Sequence, residues 1–176
     1  MKPAETPVQK PPAAAPALVI DDRGGGAPAT DWRFFTDAVM GGVSGGAMSV
    51  ESVAGRAALC LRGRVRLDNN GGFIQMALDL PAVAGEWRGI EIDVLGNGRR
   101  YGLHLRTAGM TWPWQSYRTS FEAAPAWRTL LLPFDEFVPY RFSGALQAGD
   151  LRRVGLLAIG EAFEAELALG RLALYR

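Results

Sequence analysis

Short apolar runs with two-residue alternation, punctuated by glycine and never replaced by a long helix-period stretch, constrain this chain to strands. Such runs occupy residues 47–53, 57–67, 72–80, 89–95, 100–107, 116–122, 127–132, 154–159 and 166–174. Short strands at this spacing pack as an all-β antiparallel β-sandwich or jelly roll rather than as a parallel α/β sheet. Only Pro133-Phe134-Asp135-Glu136-Phe137 reads as a helical turn. Two steps, Gly96-Asn97-Gly98 and Asn70-Gly71, lie between runs and carry the Asn-Gly signal of a type I′ hairpin.

Two glycine-paired blocks stand out within this pattern, Asp37-Ala38-Val39-Met40-Gly41-Gly42-Val43-Ser44 and Asp68-Asn69-Asn70-Gly71-Gly72-Phe73. Paired glycines let a backbone take positive φ and approach a neighbour closely. Asp37, Gly41, Gly42, Gly71 and Gly72 are therefore read as architecture, with Asp37 and Asn69 placed to hydrogen-bond turn amides.

The chain of 176 residues is the size of one domain, and a single core is expected over 18–176. Residues 1–17 are dominated by proline and alanine, cannot bury enough apolar surface to offset ordering, and are read as a disordered leader. That leader has neither the apolar stretch of a secretory signal nor the Arg/Ser pattern of a mitochondrial presequence. Cytoplasmic placement is favoured, with the periplasm open had a signal been removed. No apolar stretch reaches the ~20 residues needed to span a bilayer as a helix. A net charge of +1 with scattered basic residues sets aside nucleic-acid and anionic-membrane binding.

Catalysis finds little support. The single cysteine, Cys60, sits in the run Ala57-Ala58-Leu59-Cys60-Leu61 and is read as a buried small hydrophobe. With His104 the only histidine, zinc sites built on Cys and His clusters are not available, and only a carboxylate calcium site stays open. Alternation groups His104 with Gly102 and Arg106, and no serine block resembles a nucleophile elbow, so a triad is not expected. Glu91 and Asp93 share a strand face, which superficially suits a glycosidase pair but reads better as a solvated edge. No catalytic residue and no cofactor are assigned.

Aromatic residues give the clearest binding signal. Trp112-Pro113-Trp114 lies in a loop between two runs and precedes Tyr117. Each such side chain presents a large apolar face with a polar tip, suited to a protein partner or a sugar ring.

Trp32, the Asp37–Ser44 block, Asn69-Asn70-Gly71-Gly72-Phe73, Gly96-Asn97-Gly98-Arg99 with Tyr101, Leu105-Arg106-Thr107, Tyr117, Trp127, and Leu132-Pro133-Phe134 with Phe137 together resemble the complex I intermediate-associated protein family. The likeness runs over roughly residues 30–174. Ala38 and Asn97 depart from it, standing where glycine and an acidic residue are expected. The resemblance implies a galactose-binding-like sandwich and help in assembling the respiratory NADH dehydrogenase. The arginine-rich coding, with Lys2 and Lys10 the only lysines, suggests a bacterial member.

The expected function is therefore non-enzymatic binding of a protein partner, such as a respiratory-complex subunit or intermediate. The expected surface is Met40, Asn69, Asn70, Arg106, Trp112, Trp114 and Tyr117, with Arg106 pairing an acidic group. A carbohydrate-binding module using the same aromatic loop is the alternative.

Overall fold

The structure is a computed structural model that describes residues 17–25 and 28–176, so all but the last residue of the expected leader lies outside it. Twelve strands form two antiparallel sheets: β1 (Leu18–Asp22), β2 (Arg33–Thr36), β3 (Gly45–Val53), β4 (Arg56–Val65), β5 (Phe73–Asp79), β6 (Gly89–Leu95), β7 (Arg100–Thr107), β8 (Ser116–Glu122), β9 (Arg128–Pro133), β10 (Val138–Tyr140), β11 (Leu151–Ile159) and β12 (Phe163–Tyr175). Sheet A has the order β3-β4-β12-β6-β9, with β1 continuing beside β12; sheet B has the order β10-β8-β7-β11-β5-β2. The helical turn expected near Pro133 is a 3₁₀ turn, Phe134–Glu136.

Alternation explains the layering. Leu59 and Leu61 of β4, Ile90 and Ile92 of β6, Ile74 and Met76 of β5, and Leu103 and Leu105 of β7 are all buried between the sheets. Cys60 is buried too, but on the outer face of sheet A. It shares a small cluster with Ala58, Ala168 and the partly covered Trp127. Burial pushes its thiol up to about 11, which leaves it inert at neutral pH.

Two turns differ from expectation. β6 lies in sheet A and β7 in sheet B, and β4 and β5 are divided in the same way. Gly96-Asn97-Gly98 and Asn70-Gly71 are therefore crossings between sheets, not hairpins. The first docks on the β8–β9 connection, Gly96 N donating to Ala124 O and Gly98 N to Ala123 O. Asn97 fits there because its amide donates to Glu164 O while its carbonyl accepts from the Tyr101 hydroxyl, a pairing a carboxylate could not make. The tight hairpin is Ala54-Gly55, where both residues have positive φ and Val53 pairs with Arg56.

The two glycine blocks meet around one buried carboxylate. Asp37 is fully buried; it accepts from the Ser44 amide and hydroxyl (3.0 and 2.6 Å) and from the amides of Gly72 and Phe73 (2.6 and 3.3 Å). This joins the β2–β3 crossing to the β4–β5 crossing. The glycines serve it in two ways. Gly41 and Gly72 hold φ of +84° and +136°, whereas Gly42 and Gly71 have ordinary φ but leave no room, since a Cβ on either would fall on the Asp37 carboxylate. Burial alone would raise the Asp37 pKa; bonds from the Ser44 hydroxyl and the three amides outweigh it and hold the carboxyl below its usual range.

Removing this anchor leaves buried donors unpaired, so Asp37→Asn is expected to cost about 3 kcal/mol at pH 7. The folded pKa is depressed, so the stability it confers is present above the ordinary value of 3.8 and is lost as pH falls through the lower folded value. The gap between wild type and D37N should therefore narrow in urea titrations below that pH; a gap constant from pH 7 to pH 2 would contradict the assignment. Gly42→Ala and Gly71→Ala should each cost more than Gly41→Ala, which has open space around its Cβ and loses only about 1 kcal/mol for conformation.

Candidate functional site

The residues expected to form one surface fall at opposite ends of sheet B. β5 runs from the Asp37 knot at Phe73 to Asp79, and pairing through β11 places Asp79 near Arg106 and Thr107, where the tryptophan loop begins. Six strand steps put these ends roughly 20 Å apart. Met40, Asn69 and Asn70 are exposed at the knot end, where Asn69 donates to Gly41 O across the two turns, so it bonds a carbonyl rather than a turn amide. Exposed Val39, Val43 and Leu67 accompany them.

At the other end, Trp112 and Trp114 stack on one another with ring centroids 5.3 Å apart and planes 6° from parallel. Each is about half exposed, 54% and 50%. Arg106 builds their loop: its Nη1 donates to the carbonyls of Trp112, Pro113 and Gln115 at 2.8–2.9 Å. Gln115 completes it, accepting from the Thr111 and Trp112 amides and donating to Arg141 O. The expected role of Arg106 as a ready partner for an acid is thus corrected, because this nitrogen is held by its own loop.

Tyr117 is also corrected. It is 3% exposed, faces the core on the side of β8 shared with Phe121, packs edge-on against Phe142 and donates its hydroxyl to Gly144 O. Tyr117 is therefore a core residue.

Between the two ends, the outer face of sheet B carries a groove of about 550 Å³ lined by residues including Arg100, Gly102, His104, Arg118, Ser120, Glu136, Val138, Ile159 and Glu161. Gly102 forms part of its floor; a Cβ there would reach His104 and Ile159 only at ordinary contact distance. His104 stands directly across from Arg118 in the β7–β8 register. Burial, with the nearby Arg118 charge, lowers the His104 pKa to about 3, so the imidazole is neutral at physiological pH. The Arg118 guanidinium lies 3.6 Å from the centre of the Tyr140 ring while its Nε donates to Ser116 Oγ.

Glu91 and Asp93 share the outer face of sheet A as alternation required, but on the inner strand β6 rather than at an edge. Arg171 pairs with Glu91, and Asp93 accepts from Arg56 and from Thr129 Oγ1. They do not face each other across a cleft. Among the described residues no group of three or more His, Cys, Asp or Glu side chains gathers as a metal site, and no helix is long and apolar enough to cross a membrane.

Arg118, Ser120 and Tyr140 were missed by sequence reasoning. Alternation along Ser116-Tyr117-Arg118-Thr119-Ser120-Phe121 does group Ser116, Arg118 and Ser120 opposite the aromatic side. What it lacks is the cross-strand register that sets Arg118 beside His104.

Because His104 is the only histidine, its imidazole proton signals are unambiguous. They are expected to stay fixed between pH 5 and pH 8, and Arg118→Gln should move the pKa upward. Titration of the wild-type ring near pH 6.5 would contradict the burial described here.

The family model for Complex I intermediate-associated protein 30 (CIA30) matches residues 23–169. No curated protein sequence matches the chain. Among solved structures, the family 11 carbohydrate-binding module of the cellulosomal cellulase Lic26A-Cel5E of Clostridium thermocellum has a similar fold, with TM-score 0.73 and 14% identity over 93% of this chain and 96% of that one. The family 11 module from the same organism in complex with a β-1,3-1,4-mixed-linked tetrasaccharide aligns with TM-score 0.72 and 15% identity, covering 93% and 97%. The agarase AgWH50C aligns at TM-score 0.60 and 8% identity over 90% of this chain but only 24% of its own. At these identities the neighbours establish the fold, a galactose-binding-like sandwich of the carbohydrate-binding-module type. By the family match across most of its length, the chain belongs to the complex I intermediate-associated protein 30 family.

Proposed function

We propose that this protein is a non-catalytic assembly factor that holds a protein partner, a subunit or intermediate of a respiratory NADH dehydrogenase, on the outer face of sheet B. Family membership supports this class of partner. One observation favours protein over sugar in the groove itself: the Tyr140 ring beside it is covered by a guanidinium. Arg118 lies on Tyr140, with Arg141 also over that ring at 5.5 Å, and Trp112 and Trp114 cover one face of each other. A sugar ring stacks on an open aromatic face, which on this face only the outer sides of the tryptophan pair offer; a protein partner can use those sides together with the ring edges and the charged groups between.

The second reading is binding of a polysaccharide. It is favoured by the open groove on sheet B, with neutral His104 and the Ser120 hydroxyl in its lining, and by the tetrasaccharide-bound module of like fold.

Affinity capture of the tagged protein from its native cells, read by quantitative mass spectrometry, separates the two. NADH dehydrogenase subunits should be enriched, and a Trp112→Ala/Trp114→Ala variant should lose most of that enrichment. The pair lies outside the buried core, so the variant should melt close to wild type. Absence of every such subunit, with retention on a mixed-linked glucan column, would transfer the assignment to the polysaccharide reading.

A further inference from the structure

The two outer faces of the sandwich treat their arginines differently. On sheet A each outward arginine of β4 and β12 meets an acid: Arg56 with Asp93, Arg62 with Glu51 and Glu166, Arg64 with Glu164, Arg171 with Glu91. On sheet B, the Arg33–Asp79–Arg153 group sets two cations on one acid beside Arg106. Arg118, across from His104, Arg106, two residues further along β7, and Arg100, which donates to Ser120 Oγ, form no ion pair among the described residues.

Arg106 and Arg118 are only partly exposed. Burial lowers the pKa of each guanidinium; Arg153 lowers that of Arg106 further, whereas for Arg118 the Tyr140 contact acts upward and Arg141 downward. Removing a cation from water without a counter-charge is costly, so a half-covered guanidinium with no acid beside it, as Arg118 is, favours an anion. The geometry is prepared to receive one. Arg118 is fixed by Ser116 Oγ at its Nε and by the Tyr140 ring beneath it, which leaves both terminal nitrogens without a partner among the described residues. It lines the groove beside His104, whose ring has no hydrogen-bond partner among the described residues.

We propose that the Arg118 end of the sheet B groove is a carboxylate-binding site that takes an acidic segment, a run of Asp or Glu side chains, of the protein partner. The two terminal nitrogens of Arg118 grip one carboxylate side by side, and the Arg106–Arg153 side of the face supplies the field for its neighbours. Glu136 and Glu161 also line the groove, Glu161 paired with Arg99; their carboxylates repel an acidic segment, so the segment reaches Arg118 from the Arg106 side of the face, outside the groove lining. A peptide suits this face better than an acidic glycan because the adjoining Tyr140 ring is covered by guanidinium.

This inference rests on the protein-binding reading and is tested without the native partner. The probe is a fluorescent hexaglutamate peptide titrated into the full chain, beside hexaglutamine, trigalacturonate and a neutral mixed-linked glucotetraose. Saturable binding of hexaglutamate that weakens with added salt, and no binding of hexaglutamine, is expected. Arg118→Gln should weaken it at least about tenfold. Arg62→Gln, which removes an ion-paired arginine from sheet A, should leave it unchanged. Ser120→Glu, which adds a competing carboxylate on the same face of β8 and removes no core atom, should weaken binding even if Arg118→Gln proved unstable. Equal losses in Arg62→Gln and Arg118→Gln, or failure of hexaglutamate to bind, would overturn the carboxylate site. If cellular capture of NADH dehydrogenase subunits persisted, the assembly-factor reading would survive that failure. Tight binding of trigalacturonate with no peptide binding would assign the arginines to an acidic glycan and overturn the acidic-peptide site; loss of the NADH dehydrogenase subunits from the capture as well would overturn the assembly-factor reading.

Discussion

A single buried carboxylate organises this sandwich. Asp37 gathers the ends of two inter-sheet crossings that are far apart in sequence, and its oxygens are satisfied by backbone amides and one hydroxyl rather than by a cation. An ion held by fixed amides is positioned more narrowly than one held by a long flexible side chain. The knot sets where β5 begins, β5 sets the register of β11, and β11 sets that of β7. His104 lies level with Ala77 across β11, so its placement, and that of Arg118 opposite it, is tied through the paired registers to the knot where β5 begins. A second buried acid, Asp21, does comparable work for the N-terminal strand, bonding Arg23, the Ala29 amide and the Trp32 indole.

The contrast between the two outer faces follows from the same economy of charge. Sheet A neutralises itself through cross-strand pairs that need no partner, each modest in energy because it is exposed or partly so. The β7–β8 half of sheet B leaves cations half-covered, stacks one of them on an aromatic ring, and fixes a stacked tryptophan pair at its margin with the backbone-bonded Arg106. Rigid aromatic groups beside unmatched charge are the features that distinguish a recognition surface from a merely solvated one.

Much of the fold was legible in the sequence because alternation is a local signal. β6, β7 and β8 begin and end where the runs do, and the paired layers follow from them. The strands that escaped notice are short or interrupted: β2 has four residues, β10 has three with Pro139 at its centre, and β1 ends in two aspartates. The Asn-Gly steps reported a need for unusual φ but not which sheet the next strand would join. That choice is made by tertiary bonds such as Gly96 N to Ala124 O. Among the expected site residues, Tyr117 is a core residue, and the local signal of that is its place four residues before Phe121 on the same strand face. Sequence order does not reveal that the turns of Met40 and Trp112 lie at opposite ends of a sheet. Arg118 needed cross-strand register, which no single-strand pattern contains.

The central claim is that partner recognition occupies the outer face of sheet B. Hydroxyl-radical footprinting of the protein, alone and bound to the NADH dehydrogenase subunit recovered with it, tests this most directly, because reactive side chains mark both faces. The account predicts that Trp112, Trp114, His104 and Tyr140 become protected on binding, while Val50 and Leu131 on sheet A react as before. Protection confined to Val50 and Leu131, or to Met40 and Leu67 at the knot, would contradict it.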